Sequence, residues 1–260
     1  MRSRYALPAL SLRFVAVWQR HFLVWRKLAI PSILGNLADP LIVLFGLGYG
    51  LGAALGQVGG SSYFGFLAGG FLASTTMYAA TFESLFSAYS RMHVQKTWEA
   101  IVNAPMTLED VLAGEWVWAA SKAFAAGVCL LAIVAAAGQA SFPHALLTVP
   151  VAVLIGLTFA ALGLSINALA SGYDFFSYYM TLLLTPMMML SGVFFPVERL
   201  PEAVQAVAMA LPLYHGVELA RPLLAGSLPA QPLLNLAVLV AYALAGFYLA
   251  TVLTRRRLLT

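Results

Sequence analysis

Long apolar runs leave this chain few folds to choose from. Ile33–Leu55, Phe64–Ala88, Val111–Ala137, Ala145–Ala170, Phe175–Phe195 and Leu233–Leu253 are each about as long as the ~20 residues a helix needs to cross the hydrocarbon core of a bilayer. Together they take up most of the 260 residues, so no soluble domain of ordinary size remains. The composition agrees: 62% of residues are hydrophobic and 9% charged, against about a quarter charged in a soluble domain. That is too little polar surface to cover a globule in water. In hydrocarbon every backbone N–H and C=O must be bonded internally, and runs of this length achieve that as helices. The expected fold class is an all-α membrane protein, with residues 1–260 forming a single transmembrane domain of six transmembrane helices.

Lys and Arg set the expected orientation. Arg2, Arg4, Arg13, Arg20, Arg26 and Lys27 precede the first run, Arg91 and Lys96 follow the second, and Arg255, Arg256 and Arg257 close the chain. With six spans all of these fall on one side. Arg199 and Arg221 are left for the other side, and Lys122 lies within a span. The positive-inside rule then places both termini in the cytoplasm. The net charge of +4 is therefore a topology signal, and nucleic acid is not an expected partner. The basic residues also interrupt any signal-peptide core near the N-terminus. Cys129 has no second cysteine to pair with.

Residues 10–30 differ from the spans. Phe14, Trp18, Phe22 and Trp25 fall on one helical face, and Arg13, Arg20 and Lys27 on another. That pattern predicts an amphipathic helix in the cytoplasmic interface, ended near Pro31. It serves either as a simple anchor or as a brace for the first span.

Two connections are informative. Tyr89–Asp110 is the longest cytoplasmic one, and Met92–Asn103 within it is expected to form a short helix with Trp98, Ile101 and Val102 as apolar contacts. Pro105 then breaks the chain, and Thr107 is placed to cap the next helix, with Glu109 and Asp110 in its first turn. Such a helix suits docking to another protein, with an ordinary interfacial loop as the plainer alternative. On the other side, Ser191–Leu224 is broken by Pro196, Pro201, Pro212 and Pro222. Its Glu202–Leu211 piece is apolar but too short to span, which predicts short helices dipping into the outer leaflet and returning; an amphipathic outer loop is the alternative.

Asp39, Glu83, Glu115 and Lys122 sit within or near spans, where an unpaired charge costs several kcal/mol. Glu115 and Lys122, seven apart, share a helix face. Asp39 precedes Pro40 and is placed to cap a helix starting there. Gly46 and Gly50 form a small-x-x-x-small pattern, a possible packing seam or subunit contact. Enzyme chemistry finds no support: there is no phosphate-binding G-x-x-x-x-G-K-[ST], no H-E-x-x-H and no G-x-S-x-G. His21, His93, His144 and His215 are scattered, and no metal site is expected.

Several segments together carry a resemblance: "WRKLAIPSILGNLADPLIVLFGLGYGLG" at Trp25–Gly52, "ATFESLFSAYSRMHVQKTWEAI" at Ala80–Ile101, "SGYDFFSYYMTLLLTPMMMLSGVFFPVERLP" at Ser171–Pro201, "LPLYHGVELARPLL" at Leu211–Leu224 and "RRRLL" at Arg255–Leu259. Along essentially its whole length the chain resembles the permease subunit of ABC-2 type ATP-driven exporters. Within that class it looks most like the NodJ-like permeases of nodulation-factor exporters. The resemblance implies six spans, a homodimer in the bacterial inner membrane and a separate cytoplasmic ABC ATPase. That partner holds ATP and magnesium, and no cofactor is bound directly by this chain. It also implies a coupling helix at about Gln95–Asn103, with Gln95, Lys96, Thr97, Trp98, Glu99, Ile101 and Val102 as ATPase-coupling residues, and re-entrant helices at Pro196–Pro212. The substrates it implies are amphiphiles drawn from membrane lipid, such as glycolipids and lipo-oligosaccharides; a drug or small-lipid exporter is the variant within the class. Asp39, Tyr49, Tyr63, Glu83, Phe194, Phe195 and Tyr214 are then the candidates for the translocation path or gate. An ion-coupled secondary transporter using Asp39 or Glu83 is the rival from another class.

Overall fold

The computed structural model describes residues 5–103 and 106–258. Twelve α-helices can be followed through those residues: α1 Phe14–Trp25, α2 Ala29–Gly50, α3 Gly52–Leu55, α4 Tyr63–Phe82, α5 Thr97–Val102, α6 Leu108–Ala136, α7 Thr148–Leu169, α8 Tyr173–Tyr179, α9 Thr185–Leu190, α10 Glu202–Ala210, α11 Pro212–Ala225 and α12 Pro232–Leu258. A two-residue antiparallel pair, β1 Gln57–Val58 and β2 Ser61–Ser62, joins α3 to α4. Among the described residues four helical stretches are long and apolar enough to cross a membrane: Phe14–Leu55, Leu108–Ala136, His144–Leu169 and Pro232–Leu258. The protein is an all-α, multi-pass membrane protein. Below, its proximal end is the one bearing α1, α5 and the end of α12, and its distal end the one bearing β1–β2, α10 and α11.

The second and fifth predicted spans fall outside those four for physical reasons. Helix α4 is the centre of the bundle, buried along nearly its whole length by α2, α6, α7 and α11. A helix surrounded by protein needs close approach more than apolarity, so it carries Gly, Ser and Thr where a lipid-facing helix would carry Leu. At Gly69 a Cβ would stand 2.6 Å from the Arg221 Cα of α11, a contact no larger residue could make. The predicted fifth span, Phe175–Phe195, ends at Leu190. It is interrupted by a wide π turn at Met180–Leu184, whose Met180 carbonyl accepts both the Thr185 N–H and Thr185 Oγ1, the latter at 3.1 Å.

Helix α4 likewise runs on beyond its predicted end through two π turns, Glu83–Ser87 and Ser90–Val94. Wide turns leave carbonyls without their helical donors. Asn167 of α7 adds a donor at the first of them: its Nδ2 donates to Ser84 O at 2.9 Å and to Leu85 O, which also accepts the Ala88 N–H, at 3.1 Å. Helix α7 is in turn tied to α12, where Thr158 Oγ1 donates to Leu239 O and Ser165 Oγ to Gly246 O.

Several expectations change. Pro31 does not end the interfacial segment; α2 begins at Ala29 and carries Pro31 in its first turn. Pro40 lies inside α2, so Asp39 caps nothing. Helix α1 keeps its aromatic face, with Trp18 and Phe22 stacked 5.5 Å apart, but it also packs on α6. Val17 sits where a Cβ on Gly114 would be 2.5 Å away, and Trp18 Nε1 donates to Ser121 Oγ. A Cβ on Gly46 or Gly50 would meet nothing within 4 Å among the described residues; Gly48 is the α2 glycine that packs, against Phe64. The expected helix Met92–Asn103 is split at Lys96, whose φ of +50° is left-handed. Beyond Pro212 the chain continues as α11, with Pro222 inside it. Thr107 caps α6 as expected, in a reciprocal box with Asp110. Arg2, Arg4, Pro105 and the Val102 side chain lie outside the described residues.

Candidate translocation groove and its ionic floor

Three cavities join along the seam between α2 and α4. The proximal one, of about 350 Å³, lies beneath α1 and is bordered by Arg20, His21, Glu83, Arg91 and Lys122. The middle one, of about 640 Å³, shares Ser32 and Lys122 with it and adds Asn36, Asp39, Thr75 and Tyr78. The distal one, of about 180 Å³, shares Asp39, Pro40, Thr75 and Tyr78 with the middle and ends at Phe71, Met188 and Phe194. The helical period builds this line. Ser32, Asn36, Asp39 and Val43 form one stripe of α2, and Phe71, Thr75, Tyr78 and Phe82 the facing stripe of α4.

The groove is polar in its middle and aromatic at its distal end. Pro40 has no N–H for the Asn36 carbonyl, so a backbone acceptor stays open beside the Asn36 and Asp39 side chains. Thr75 Oγ1 is buried and has no hydrogen-bond partner among the described residues. At the distal end Phe194 meets Phe71 edge-on at 5.7 Å, and the Tyr63 hydroxyl donates to the Phe194 carbonyl at 3.3 Å. Tyr49 is largely exposed and meets Phe45 and Phe64 with tilted rings. Phe195 is half-buried beside Phe194.

The floor of the groove is a buried ionic cluster. Glu83, at the first π turn, accepts from Trp118 Nε1 at 2.8 Å and Lys122 Nζ at 2.7 Å, and Arg91 Nη2 lies 2.9 Å from it. Arg91, at the second π turn, also grips Glu115 of α6 through Nε at 2.9 Å and Nη2 at 2.5 Å. Glu115 further accepts the indole N–H of Trp98 at 2.9 Å. His21 Nε2 of α1 lies 3.2 Å from the same carboxylate, close enough for an ion pair but without hydrogen-bond alignment. Two carboxylates thus face two permanent cations, which is how charges persist at such depth. The cluster ties α1, α4, α5 and α6 together at one point. Outside it, Arg255 of α12 pairs with Glu109 at 2.6 Å, and Arg257 donates to the carbonyls of Asn167 and Ala168. His93, beyond the apolar run, has its pKa lowered from the usual histidine range by burial and then by the Arg257 charge.

The predicted residues divide accordingly. Asp39, Glu83 and Phe194 line the groove, and Tyr49 and Tyr63 flank its distal end. Tyr214 does not belong to it and lines a separate cavity by α12. In α5 and the turn before it, Gln95, Lys96 and Glu99 are exposed, Ile101 is half-buried, and Thr97 and Trp98 are buried. Trp98 therefore points into the bundle, where a helix presenting its apolar residues outward had been expected. Glu115 and Lys122 share a face as expected but bond to different partners. Arg91, Trp118 and Asn167 were missed. Trp118 follows its partner Glu83 by 35 residues, and such a separation gives no warning of a bond made through three-dimensional proximity alone.

A buried ionic floor under a polar groove, with an anchored short helix at its base, is an arrangement that suits a membrane transport protein. Residues 13–224 match the ABC-2 type transporter family, and the chain belongs to that family. It is similar over nearly its full length to several curated relatives. It is 46% identical over 254 residues to nodulation protein J of Rhizobium meliloti (strain 1021), covering 98% of this chain and 97% of the relative. To nodulation protein J of Rhizobium leguminosarum bv. viciae it is 47% identical over 253 residues, covering 97% and 98%. To that of Sinorhizobium fredii (strain NBRC 101917 / NGR234) it is 45% identical over 262 residues, covering all of both chains.

Proposed function

We propose that the protein is the permease of an ATP-driven exporter in the bacterial inner membrane, moving an amphiphile with a sugar head and a lipid tail outward. On this reading α4 and the α8–α9 segment complete six spans, with both termini and α5 in the cytoplasm. Two copies assemble, and each engages a cytoplasmic ABC ATPase that holds ATP and magnesium. The α10–α11 hairpin is the re-entrant element. The relatives' designation as nodulation proteins favours a nodulation-factor type of lipo-oligosaccharide as cargo.

The observation that carries the proposal is the bond from Trp98 to Glu115. It links the short helix exposed to the cytoplasm, through Arg91 and Glu83, to Lys122 on the wall of the groove. A push on Gln95, Lys96 and Glu99 by a closing ATPase is transmitted to charges that cannot move singly without losing buried partners. The groove's middle offers the hydroxyl, amide and carboxylate groups that a sugar head needs while its tail stays in lipid. The ion-coupled alternative is disfavoured at Glu83, whose carboxylate is engaged by Lys122, Trp118 and Arg91 and has no vacancy for a carried ion. The test is to isolate the tagged protein from gently solubilised membranes with its ATPase and to measure hydrolysis. Co-isolation of a P-loop ATPase, weakened by reversing charge at Lys96 and Glu99, is expected. Isolation alone, with transport that collapses with the proton gradient, would overturn it.

A further inference from the structure

The hairpin of α10 and α11 encloses a second cavity that takes no part in the groove. Tyr242 Oη donates to the Ala210 carbonyl at 2.8 Å, which fixes the hairpin's corner beside Tyr242. Tyr242 lies ten residues, or roughly 15 Å, along α12 from its distal start at Pro232. Between hairpin and helix is a slot of about 550 Å³, within the ~300–1,000 Å³ usual for small-ligand sites.

The lining is selective. Gln231, the residue before α12, lies in line with Asn235 and Tyr242 of α12, and Tyr214, His215 and Glu218 face them from α11. His215 is buried and locked in place, with Nε2 2.9 Å from the Met209 carbonyl and Nδ1 2.8 Å from Asn235 Oδ1. A carbonyl can only accept, so Nε2 carries the hydrogen, and a neutral ring then accepts at Nδ1 only with the Asn235 amide turned so that its NH2 faces the ring. Leu234, Val238 and Met209 provide an apolar border. No Lys or Arg is among the lining residues. Arg221, one turn beyond Glu218, is turned away: its guanidinium lies 3.7 Å over the Phe66 ring and bonds the Phe66 and Gly192 carbonyls. Glu218 and Gln231 make no side-chain hydrogen bond among the described residues, so their acceptors and donors are available to a ligand.

We infer that this slot binds the hydroxyl-rich, uncharged sugar head of an amphiphile on the distal side of the membrane. Two phenol rings offer flat faces for sugar rings, the amides and the carboxylate bond hydroxyls in both directions, and the Glu218 carboxylate, with no Lys or Arg beside it in the lining, disfavours a phosphate head. The ligand class rests on the lining alone. Only its supply by export rests on the function proposed above, and a chain that exports nothing would still bind such a head here.

The test uses the full chain in lipid nanodiscs with Cys129→Ala and a fluorine label on Val238→Cys. Dodecyl maltoside is titrated below its micellar concentration, against dodecyl phosphocholine with the same tail and a charged head. A saturable shift with the maltoside alone is expected, and Glu218→Gln and Gln231→Ala are each expected to weaken it about three- to ten-fold. Both variants are first matched to the parent in thermal unfolding, and a variant that fails this is replaced by Tyr214→Phe. Equal responses to both detergents would show tail insertion only and overturn the assignment. So would no response, or affinities unchanged in the variants.

Discussion

The ionic floor and the α2 face of the groove are built on opposite plans. In the floor, Glu83, Glu115, Arg91, Lys122 and Trp98 are buried or half-buried and each is bonded to at least one other member. Along α2, Asn36 and Asp39 stand against open space, and the helix touches the bundle mainly through Leu37, Leu44 and Gly48. A transporter needs both. Force passes only through a part that cannot relax locally, and cargo passes only where side chains are not already spent on one another. The difference says which substitutions damage the fold and which damage transport.

Breaking the floor is expected to have the largest effect. Arg91→Met preserves bulk but leaves Glu83 and Glu115 with Lys122 as their only permanent cation, at a cost of ~3–5 kcal/mol. Unfolding in mixed detergent micelles should show the loss directly, and a loss below ~1 kcal/mol would mean that the cluster is hydrated and loose. Asn167→Ala comes next. It strips a donor from Ser84 O and Leu85 O at the π turn, an expected cost of ~1–3 kcal/mol by the same measurement, together with faster amide exchange at residues 83–90. Asp39→Asn should be smallest in stability, within ~0.5 kcal/mol of the parent, yet should change transport of a sugar-headed amphiphile. If it instead destabilises as Arg91→Met does, the contrast between the two regions fails.

Much of the architecture is legible in the sequence. Apolar length gave the helices α2, α6, α7 and α12, Thr107 and Asp110 announced the start of α6, and the four prolines after Ser191 announced a broken distal segment. The misreadings share a cause. Pro40 and Pro222 look like helix ends by rules drawn from water, but in a membrane bundle the helix continues because no alternative partner exists for its backbone. Asn167 looks like an isolated polar residue because its partners are carbonyls exposed by a π turn some eighty residues earlier, which local periodicity does not reveal. Trp98 was read as a contact for another protein because its spacing says apolar face, and spacing carries no information on which body that face meets. The groove itself was half visible: Asp39, Glu83 and Phe194 stood out by type and position, whereas Thr75, Tyr78 and Lys122 joined them only through the packing of α4 and α6.

The central claim is that the Trp98 indole transmits motion from α5 to the groove. Trp98→Phe keeps a buried aromatic ring and removes the N–H bonded to Glu115 together with the smaller half of the indole. The protein should be reconstituted with its ATPase in vesicles, and ATP hydrolysis and outward movement of a labelled sugar-headed lipid followed together. Hydrolysis within about two-fold of the parent with transport per ATP reduced about ten-fold or more is the predicted result, in line with a lost hydrogen bond to a charged group of ~1.5–3 kcal/mol. Unchanged transport per ATP would contradict the account.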